Sequence, residues 1–379
     1  MAVSKACWGI DIGQCALKAV RMRPNGDRLE VLDFEIIEHE QILSEPDADR
    51  AALIRSAIEK FAARHPTDKD LVAVSVPGNQ TFARFTKLPP VEPKKIPDIV
   101  RFEARQQIPF DIEEVDWDYQ TFSRPESPDV EVGIFAMKRE LVRRNLAPLT
   151  ASRVEPSVVQ TRPLALFNFM DYEGLGGDGA AIVDIGAENT DLVITDGTGV
   201  WTRNIQIGGN TFTDALVKSF KLNFTKAENL KRTAASSKYA RQIFQAMRPV
   251  FADLVAEIQR SIGFYTSTHS GVVVRQIHGA GNAFLLPGLE KYLQQNLQME
   301  MARIEGFAKA SPGPGVDAER LKSHALGLGV AYGLAVQGLE LATVRSNLLP
   351  IELARATVWR RKRPYFAGAA ACLVATAGV

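Results

Sequence analysis

The stretch that decides the fold occurs twice, as WGIDIGQCALKAVRM over residues 8–22 and as AIVDIGAENTDLVIT over residues 181–195. Each copy runs from an apolar strand through an Asp-x-Gly turn into a second apolar strand. The alignment pairs Asp11 with Asp184 and Gly13 with Gly186. It predicts an internal duplication of supersecondary structure, and therefore an α/β fold with two halves built on the same plan.

Composition describes a chain that can bury a large core. Of its 379 residues, 46% are hydrophobic, and 45 Lys and Arg residues balance 44 Asp and Glu residues. The net charge of +1 gives no reason to expect nucleic-acid binding. Cys7, Cys15 and Cys372 are too few and too scattered for a disulfide framework or a zinc site. Because the amino terminus lacks an apolar stretch of signal-peptide length, we expect the folded part in the cytoplasm.

Changes in residue pattern along the chain predict its division into domains. Residues between the two halves read as strand, helix and two further strands with their own apolar set, which predicts an inserted small α+β domain. Pro249 suits the first turn of a long helix in the second half. The predicted segments are residues 1–78 and 147–178 for the first lobe, 79–146 for the inserted domain, 179–340 for the second lobe with a helical subdomain near 210–270, 341–365 for a linker with a basic stretch, and 366–379 for an uncharged apolar run.

The two Asp-x-Gly turns are candidate phosphate-binding loops, since glycine lets backbone N–H groups approach an anion. Lys18 would pair with a terminal phosphate, while Asp11 and Asp184 would hold a hydrated Mg²⁺ ion. Either turn taken alone also suits an ordinary strand end. The candidate residues are Asp11, Gly13, Gln14, Cys15 and Lys18 in the first loop, and Asp184, Gly186, Ala187 and Glu188 in the second.

Two further patterns are candidates for nucleoside binding. The stretch HGAGNAFLLPGLEKYL, residues 278–293, places Gly279, Gly281 and Asn282 between a strand and a helix. Such a turn can pass beneath a flat base, although it also suits a tight connection. In KAENLKR, Glu228 and Lys231 lie three residues apart on one helical face, where they would meet ribose hydroxyls and base or form a solvated ion pair.

In this order, the motifs resemble those of the actin, sugar-kinase and heat-shock chaperone superfamily. More narrowly, the chain resembles the PilM family of cytoplasmic actin-like proteins that serve the inner-membrane platform of type IV pili. The resemblance implies an actin-like ATPase fold of two duplicated RNase H-like lobes, an inserted domain like that of FtsA, and bound ATP and Mg²⁺. It runs from Trp8 to about Gly338, through the two copies above and the stretches FEARQQIPFDIEEVDWDYQ, FAMKRELV, IGGNTFTDAL, AENLK, AEIQRSIGFY and GAGNAFLLPGL.

The C-terminal part carries a second resemblance. Asn347, Leu348, Leu349 and Pro350 precede a basic stretch at 360–363 and the apolar run, as in the cytoplasmic start of PilN, whose Asn-Leu-Leu-Pro peptide docks on PilM. The resemblance implies a PilN-like peptide of the same or a neighbouring chain as partner, together with other pilus-platform proteins. Crossing a bilayer takes about 20 apolar residues, so the run predicts the start of a membrane helix that tethers the protein to the inner membrane. The four-residue motif also suits a simple turn before an anchor.

One departure from the family pattern concerns hydrolysis. The resemblance aligns Arg162 with an acidic residue that positions the attacking water in hydrolytic relatives. Arginine stays protonated and cannot act as a base, and Gln160, two residues away, is expected to point elsewhere. We therefore expect ATP binding with slow or no hydrolysis.

Two alternatives stay open at this stage. One is the related actin-like cytoplasmic scaffold of type II secretion, which also carries one membrane helix after an actin-like region. The other is a phosphotransferase of the sugar-kinase type, which would need a catalytic Asp near the second phosphate loop. The residue pattern leaves self-association undecided.

Overall fold

The computed structural model describes residues 6–123, 129–269 and 271–355. The apolar run at 366–379 lies outside this range. The first half of the chain contains the elements β1 (Cys7–Ile12), β2 (Ala16–Asn25), β3 (Arg28–Glu38), α1 (Arg50–Arg64), β4 (Leu71–Val76), β5 (Phe82–Leu88), α2 (Ile96–Gln107), β6 (Val115–Ser123), β7 (Val130–Lys138), α3 (Arg139–Ala151), β8 (Val158–Thr161) and α4 (Arg162–Glu173).

The second half repeats the plan of the first and adds more helix. Its elements are β9 (Ala180–Ile185), β10 (Thr190–Thr195), β11 (Val200–Ile205), α5 (Gly209–Phe220), α6 (Phe224–Arg232), α7 (Ala240–Thr268), β12 (Gln276–Ala280), α8 (Leu289–Leu297), β13 (Glu300–Arg303), β14 (Ala310–Pro312) and α9 (Ala318–Gly338).

The two large sheets have the same topology. One runs β3-β2-β1-β4-β8 with β14 added at its outer edge, and the other runs β11-β10-β9-β12-β13. In each, three antiparallel strands are followed by two parallel ones. Asp11 lies opposite Lys18 in the first ladder, and Asp184 lies opposite Asp191 in the second. The duplication read from the sequence is thus present in strand order and register.

Helices α4 and α9 lie against each other between the two sheets. Gly333 of α9 is so close to α4 that a Cβ at this position would lie 1.7 Å from the carbonyl oxygen of Ala165. Gly9 of β1 lies equally close to α9, because a Cβ at this position would lie 1.9 Å from the carbonyl oxygen of Ala331. Nearly every residue of α4 is buried, so its first residue, Arg162, is held at a fixed point between the lobes.

The inserted domain is a small sheet in the order β5-β7-β6 with α2 packed on it. Its core is separate and centres on Val100, Ala104, Val132 and Ile134. Helix α3, by contrast, buries apolar side chains in the core of the first lobe. We therefore place the end of the inserted domain at Lys138 rather than at 146.

The long helix of the second lobe differs from expectation. It begins at Ala240, and Pro249 lies inside it instead of in its first turn. Ile243 and Met247, before the proline, are buried like Leu254 after it, so one apolar stripe continues across Pro249. Within the part of the chain that the structure describes, none of the helices has the length and hydropathy that a membrane crossing requires.

Candidate functional site

A cavity of about 800 Å³ lies between the lobes, where the carboxyl ends of β1 and β9 face each other. The predicted residues that line it are Gly13, Gln14, Cys15, Lys18, Asp184, Gly186, Ala187, Glu188, Glu228, Lys231, Gly281 and Asn282. Asp11 and Gly279 do not line the cavity. Asp11 is buried beneath its floor, and Gly279 lies behind the ring of Phe284.

The first loop is a tight turn after β1. Gly13 donates its backbone N–H to the carbonyl of Ala16 at 2.9 Å, and its own carbonyl contacts Nε2 of His39 at 3.1 Å. Lys18, on β2, points into the cavity near Asn282, because a Cβ on Gly327 would lie 3.1 Å from Lys18 Nζ and 2.8 Å from the Asn282 side-chain oxygen. The start of β2 therefore brings the Lys18 ammonium group close to Asn282.

The second loop rests on the amino terminus of α5. Gly209 donates its backbone N–H to the carbonyl of Gly186 at 2.8 Å, and Asn210 donates to that of Ala187 at 2.7 Å. Both Gly209 and Asn210 line the cavity. The positive end of a helix thus lies behind this loop, which favours an anion there. Our reading of the sequence missed these two residues, although the IGGNTF stretch begins a helix with a glycine pair.

Two hydrogen bonds join the lobes across the mouth of the cavity. Gln14 Nε2 donates to Glu188 Oε2 at 2.7 Å, so the two predicted phosphate loops touch. Asn210 Nδ2 donates to the hydroxyl of Ser44 at 2.6 Å. The described conformation is therefore one with the lobes drawn together.

Glu228 and Lys231 form an internal ion pair on α6. Lys231 Nζ lies 2.6 Å from Glu228 Oε2, and 2.8 Å from both the Gly209 carbonyl and the Thr213 hydroxyl. An ammonium group has three N–H bonds, and these three partners use all of them. Burial opposes ionisation of Glu228, but the Lys231 charge lowers its pKa. Lys231 thus anchors α5, and the Glu228 carboxylate also accepts from the Thr213 hydroxyl at 2.6 Å and from Arg232 Nε at 2.9 Å.

The third loop requires glycine at Gly281. Its φ of +86° is a left-handed conformation, and a Cβ there would lie 2.4 Å from Asp184 Oδ1. The backbone N–H of Gly281 donates to the carbonyl of Leu326 on α9 at 2.8 Å. This turn therefore touches the carboxylate of the second loop and closes one side of the cavity.

The floor of the cavity is an ion cluster around Arg162. Its Nη1 lies 3.0 Å from Asp11 Oδ1, its Nη2 lies 3.4 Å from Asp184 Oδ2, and its Nε lies 3.8 Å from Asp191 Oδ2. The Ser75 hydroxyl also donates to Asp11 Oδ1 at 2.7 Å. Arg162 thus joins the ends of β1, β9 and β10, and it lines the cavity as well.

Burial and the neighbouring charges shift the pKa values of Asp191 and Arg162 in this cluster. Burial, opposed by the attraction of Arg162 and assisted by the nearby Asp184 charge, raises the pKa of Asp191 to about 6. Burial works against the charge of Arg162, yet the three carboxylates together raise its pKa. Asp191 was missed in the sequence, where the duplication aligns it with Lys18; its position opposite Asp184 in the ladder is the signal that identifies it.

The predicted Mg²⁺ ligands do not fit the ion. Asp11 and Asp184 both face the Arg162 guanidinium, which fills the space between them. The only buried oxygen of this cluster without a hydrogen-bond partner is Asp11 Oδ2. A hydrated Mg²⁺ ion is usually held by one or two carboxylates and keeps several of its waters. Here both carboxylates already contact the guanidinium, at 3.0 Å and 3.4 Å. Among the described residues, no group of three His, Cys, Asp or Glu is arranged to hold a metal.

A second candidate site is the edge of the first sheet at β8, against which the Asn-Leu-Leu-Pro segment of the same chain lies. Leu348 donates its backbone N–H to the carbonyl of Val159 at 2.8 Å, and Asn347 Oδ1 accepts from the Val159 N–H at 2.8 Å. The backbone of Asn347 also donates to Asp118 of the inserted domain at 2.8 Å. Leu348 is only 1% exposed in the core of the first lobe, and Leu349 packs beside it.

Buried amides hold the residues just before this segment. Gln160 Nε2 donates to the Ser346 carbonyl at 2.8 Å and to Gln337 Oε1 at 3.0 Å. Asn168 Nδ2 donates to the Val344 carbonyl at 2.9 Å. Gln160 therefore points away from the cavity, as expected, and its role is to bind the C-terminal segment.

Comparison with known proteins agrees with this architecture. Residues 9–339 match the model of a family described as type IV pilus assembly protein PilM. Among solved structures, a chain of a PilM-PilN type IV pilus biogenesis complex superposes with a TM-score of 0.75 and 26% sequence identity, over 89% of this chain and 99% of that chain. The predicted actin-like ATPase fold of two duplicated lobes is thereby confirmed, while the likeness of the inserted domain to that of FtsA stays a prediction.

Two looser similarities carry no argument about function. The ethanolamine utilization protein EutJ from Carboxydothermus hydrogenoformans superposes with a TM-score of 0.49 and 15% identity, over 88% of this chain and 90% of that one. The cytoplasmic domain of EpsL, an inner-membrane component of the type II secretion system of Vibrio cholerae, gives a TM-score of 0.42 and 10% identity, over 91% and 98%. Because the PilM family model covers most of the chain, the protein belongs to the family of type IV pilus assembly protein PilM.

Proposed function

We propose that the protein is an ATP-binding scaffold of type IV pilus assembly on the cytoplasmic face of the inner membrane. The observation that carries the proposal is the cavity between the lobes, lined by two glycine turns from duplicated strands and closed by a third. Its volume of about 800 Å³ lies within the usual range for small-molecule sites. ATP is the ligand that this family fold implies.

The phosphate chain would lie between the two loops. The backbone of residues 13–15 and of residues 186–188 borders the cavity from opposite sides, and the amino terminus of α5 adds positive potential. Lys18 and Arg162 supply the cations that line this part. Nucleotide entry would replace the contact between Gln14 and Glu188, which makes lobe closure sensitive to the bound ligand.

The adenosine would lie toward the third loop and α6. Gly281 and Asn282 border that side, and Glu228, which also lines the cavity, is the proposed acceptor for the ribose hydroxyls. Lys231, predicted to flank the base, already has all three N–H bonds engaged. Its proposed role is therefore to fix α5 and Glu228.

Hydrolysis is expected to be slow or absent. General-base catalysis needs a group that can accept a proton from the attacking water. The position that the family pattern assigns to such a residue holds Arg162, and Gln160 is engaged with Ser346 and Gln337.

Asp191 borders the cavity near the second loop, but it faces the Arg162 guanidinium at 3.8 Å and accepts from Asn204 at 2.8 Å. We therefore do not assign it as the catalytic Asp of a sugar-kinase-type phosphotransferase. Membership of the PilM family favours pilus assembly over the type II secretion alternative.

A calorimetric titration with ATP tests the nucleotide claim. Wild type should release heat with a defined affinity, and Lys18→Ala should bind at least about tenfold more weakly, since a tenfold change corresponds to about 1.4 kcal/mol. Lys60→Ala is the matched control, because Lys60 pairs with the exposed Glu40 and does not line the cavity. Absence of heat from wild type, or equal affinity in wild type and Lys18→Ala, would refute the assignment.

The groove at β8 is proposed to take an Asn-Leu-Leu-Pro peptide, here from the same chain. The support is the set of backbone and side-chain hydrogen bonds to Val159, Ser157 and Asp118. Residues 360–363 and 366–379, outside the described range, would then continue to the inner membrane. A fluorescent Asn-Leu-Leu-Pro peptide should fail to bind wild type and should bind Leu348→Asp, whose own segment is released. Equal binding to both proteins would contradict occupation by the same chain.

A further inference from the structure

The positive charge at the floor of the cavity is the guanidinium group of Arg162. Asp11 of the first lobe and Asp184 of the second occupy equivalent positions in the duplicated strands. Arg162 lies between the two carboxylates. Their oxygens are 3.0 Å and 3.4 Å from its two Nη atoms. A hydrated divalent ion held by these two carboxylates would need the same volume. It would also lie beside a permanent positive charge, which Coulomb repulsion disfavours.

Arg162 is also placed to reach a ligand. It lines the cavity, and its Nη1 lies 3.6 Å from where a Cβ on Gly13 would be. A guanidinium has five N–H donors, and the two close carboxylate contacts leave others free. Because Arg162 is the first residue of α4, the positive end of that helix lies at the same point.

We propose that Arg162 replaces the divalent cation: it neutralises Asp11 and Asp184, excludes Mg²⁺ from the cleft, and donates to the phosphates, so that nucleotide binds without metal. The statement about phosphates rests on the proposed nucleotide function. The exclusion of metal does not, because it follows from the contacts of Arg162 with Asp11 and Asp184.

Metal exclusion is measured on the full chain with Mn²⁺ alone, by the loss of the free-ion electron paramagnetic resonance signal. Wild type should leave that signal unchanged. Arg162→Gln should gain one Mn²⁺ site, at least about tenfold tighter than any binding by wild type, and adding Asp11→Asn should remove it. Arg21→Gln is the matched control: it also frees a buried aspartate, Asp70, but a lone carboxylate should gain no site.

Tight Mn²⁺ binding by wild type that is lost in Asp11→Asn would overturn the proposal. So would the failure of a folded Arg162→Gln protein to gain the site. Should Arg162→Gln not fold, the double variant with Asp191→Asn carries one buried negative charge fewer and still keeps Asp11 and Asp184 for the ion.

The second arm compares ATP affinity in Mg²⁺ and in EDTA. Wild type should bind equally, within about threefold, whereas Arg162→Gln should bind at least about tenfold more weakly in EDTA than in Mg²⁺. A tenfold loss for wild type in EDTA would contradict the replacement. Wild type that binds no ATP in either buffer would refute the proposed nucleotide function, while the Mn²⁺ arm would still decide whether Arg162 excludes metal.

Discussion

The backbone N–H of Leu348 donates to the carbonyl of Val159 at 2.8 Å, which joins the C-terminal segment to the edge strand of the first lobe. Edge strands present unpaired N–H and C=O groups, and this contact satisfies one of them. The side chain of Leu348 enters the same core as Trp8 and Phe61. The segment is therefore part of the folded lobe as well as a recognition motif.

Leu348→Ala should destabilise the protein by about 2–5 kcal/mol, because it removes a buried leucine side chain and leaves a cavity. The check is the free energy of unfolding from urea titration. Ile351→Ala, three residues further on, is the matched control: Ile351 is 58% exposed, and its loss should cost little. Equal effects of the two variants would show that the segment is not held in the core.

Asn347→Ala should cost about 1–3 kcal/mol, since a buried N–H without a partner is expensive. The side chain accepts from the N–H groups of Val159 and Leu349 and donates to the carbonyl of Ser157. Asn347→Asp keeps the acceptor but loses that donor and adds a charge near Asp118, so it should also be less stable than wild type. An unchanged urea midpoint for Asn347→Ala would contradict the role of these bonds.

Gly333→Ala should destabilise by about 1–3 kcal/mol or more, because the added methyl group would overlap the backbone of α4 at Ala165. Gly263→Ala, in the exposed part of α7, has no atom within 4 Å of the new Cβ. It should stabilise by about 0.5–1 kcal/mol, the usual gain of alanine over glycine in a helix. Melting temperatures that shift in the same direction for both variants would contradict close packing of α4 and α9.

Because His278 is buried, we expect the protein to lose folding stability in mild acid. Burial lowers its pKa, while its bond to the Leu175 carbonyl acts in the opposite direction. Since the folded-state pKa lies below the unfolded value of about 6.5, protons favour the unfolded chain once the pH falls below that value. The stability is fully present above pH about 6.5 and is lost as the pH falls from there through the folded pKa.

The measurement is the free energy of unfolding of wild type and His278→Gln between pH 7.5 and pH 5. The advantage of wild type over the variant should shrink toward pH 5. His39, whose pKa burial also lowers, is kept in both proteins and cancels in the difference. A difference that is constant with pH would contradict a depressed His278 pKa.

Much of the cleft was readable from the sequence because duplicated strands place equivalent residues at equivalent ends. Asp11 with Gly13 and Asp184 with Gly186 follow directly from the alignment of the two copies. The start of the long helix was misplaced, because an apolar stripe that crosses Pro249 outweighs the preference of proline for a first turn. Such competition between local preference and burial is decided by packing.

By itself, the sequence determined the two-lobed α/β plan, the inserted domain, the glycine turns that face the cleft, and the presence of an Asn-Leu-Leu-Pro segment. Only the tertiary structure decided where Arg162 points and what that segment binds. Strand periodicity and turn residues are local properties, so they can be read along the chain. The contacts of Arg162 with Asp11 and Asp184, and of Leu348 with Val159, depend on how α4 and the C-terminal segment pack between distant strands. That packing follows from the burial of the whole core and cannot be read from any one stretch of sequence.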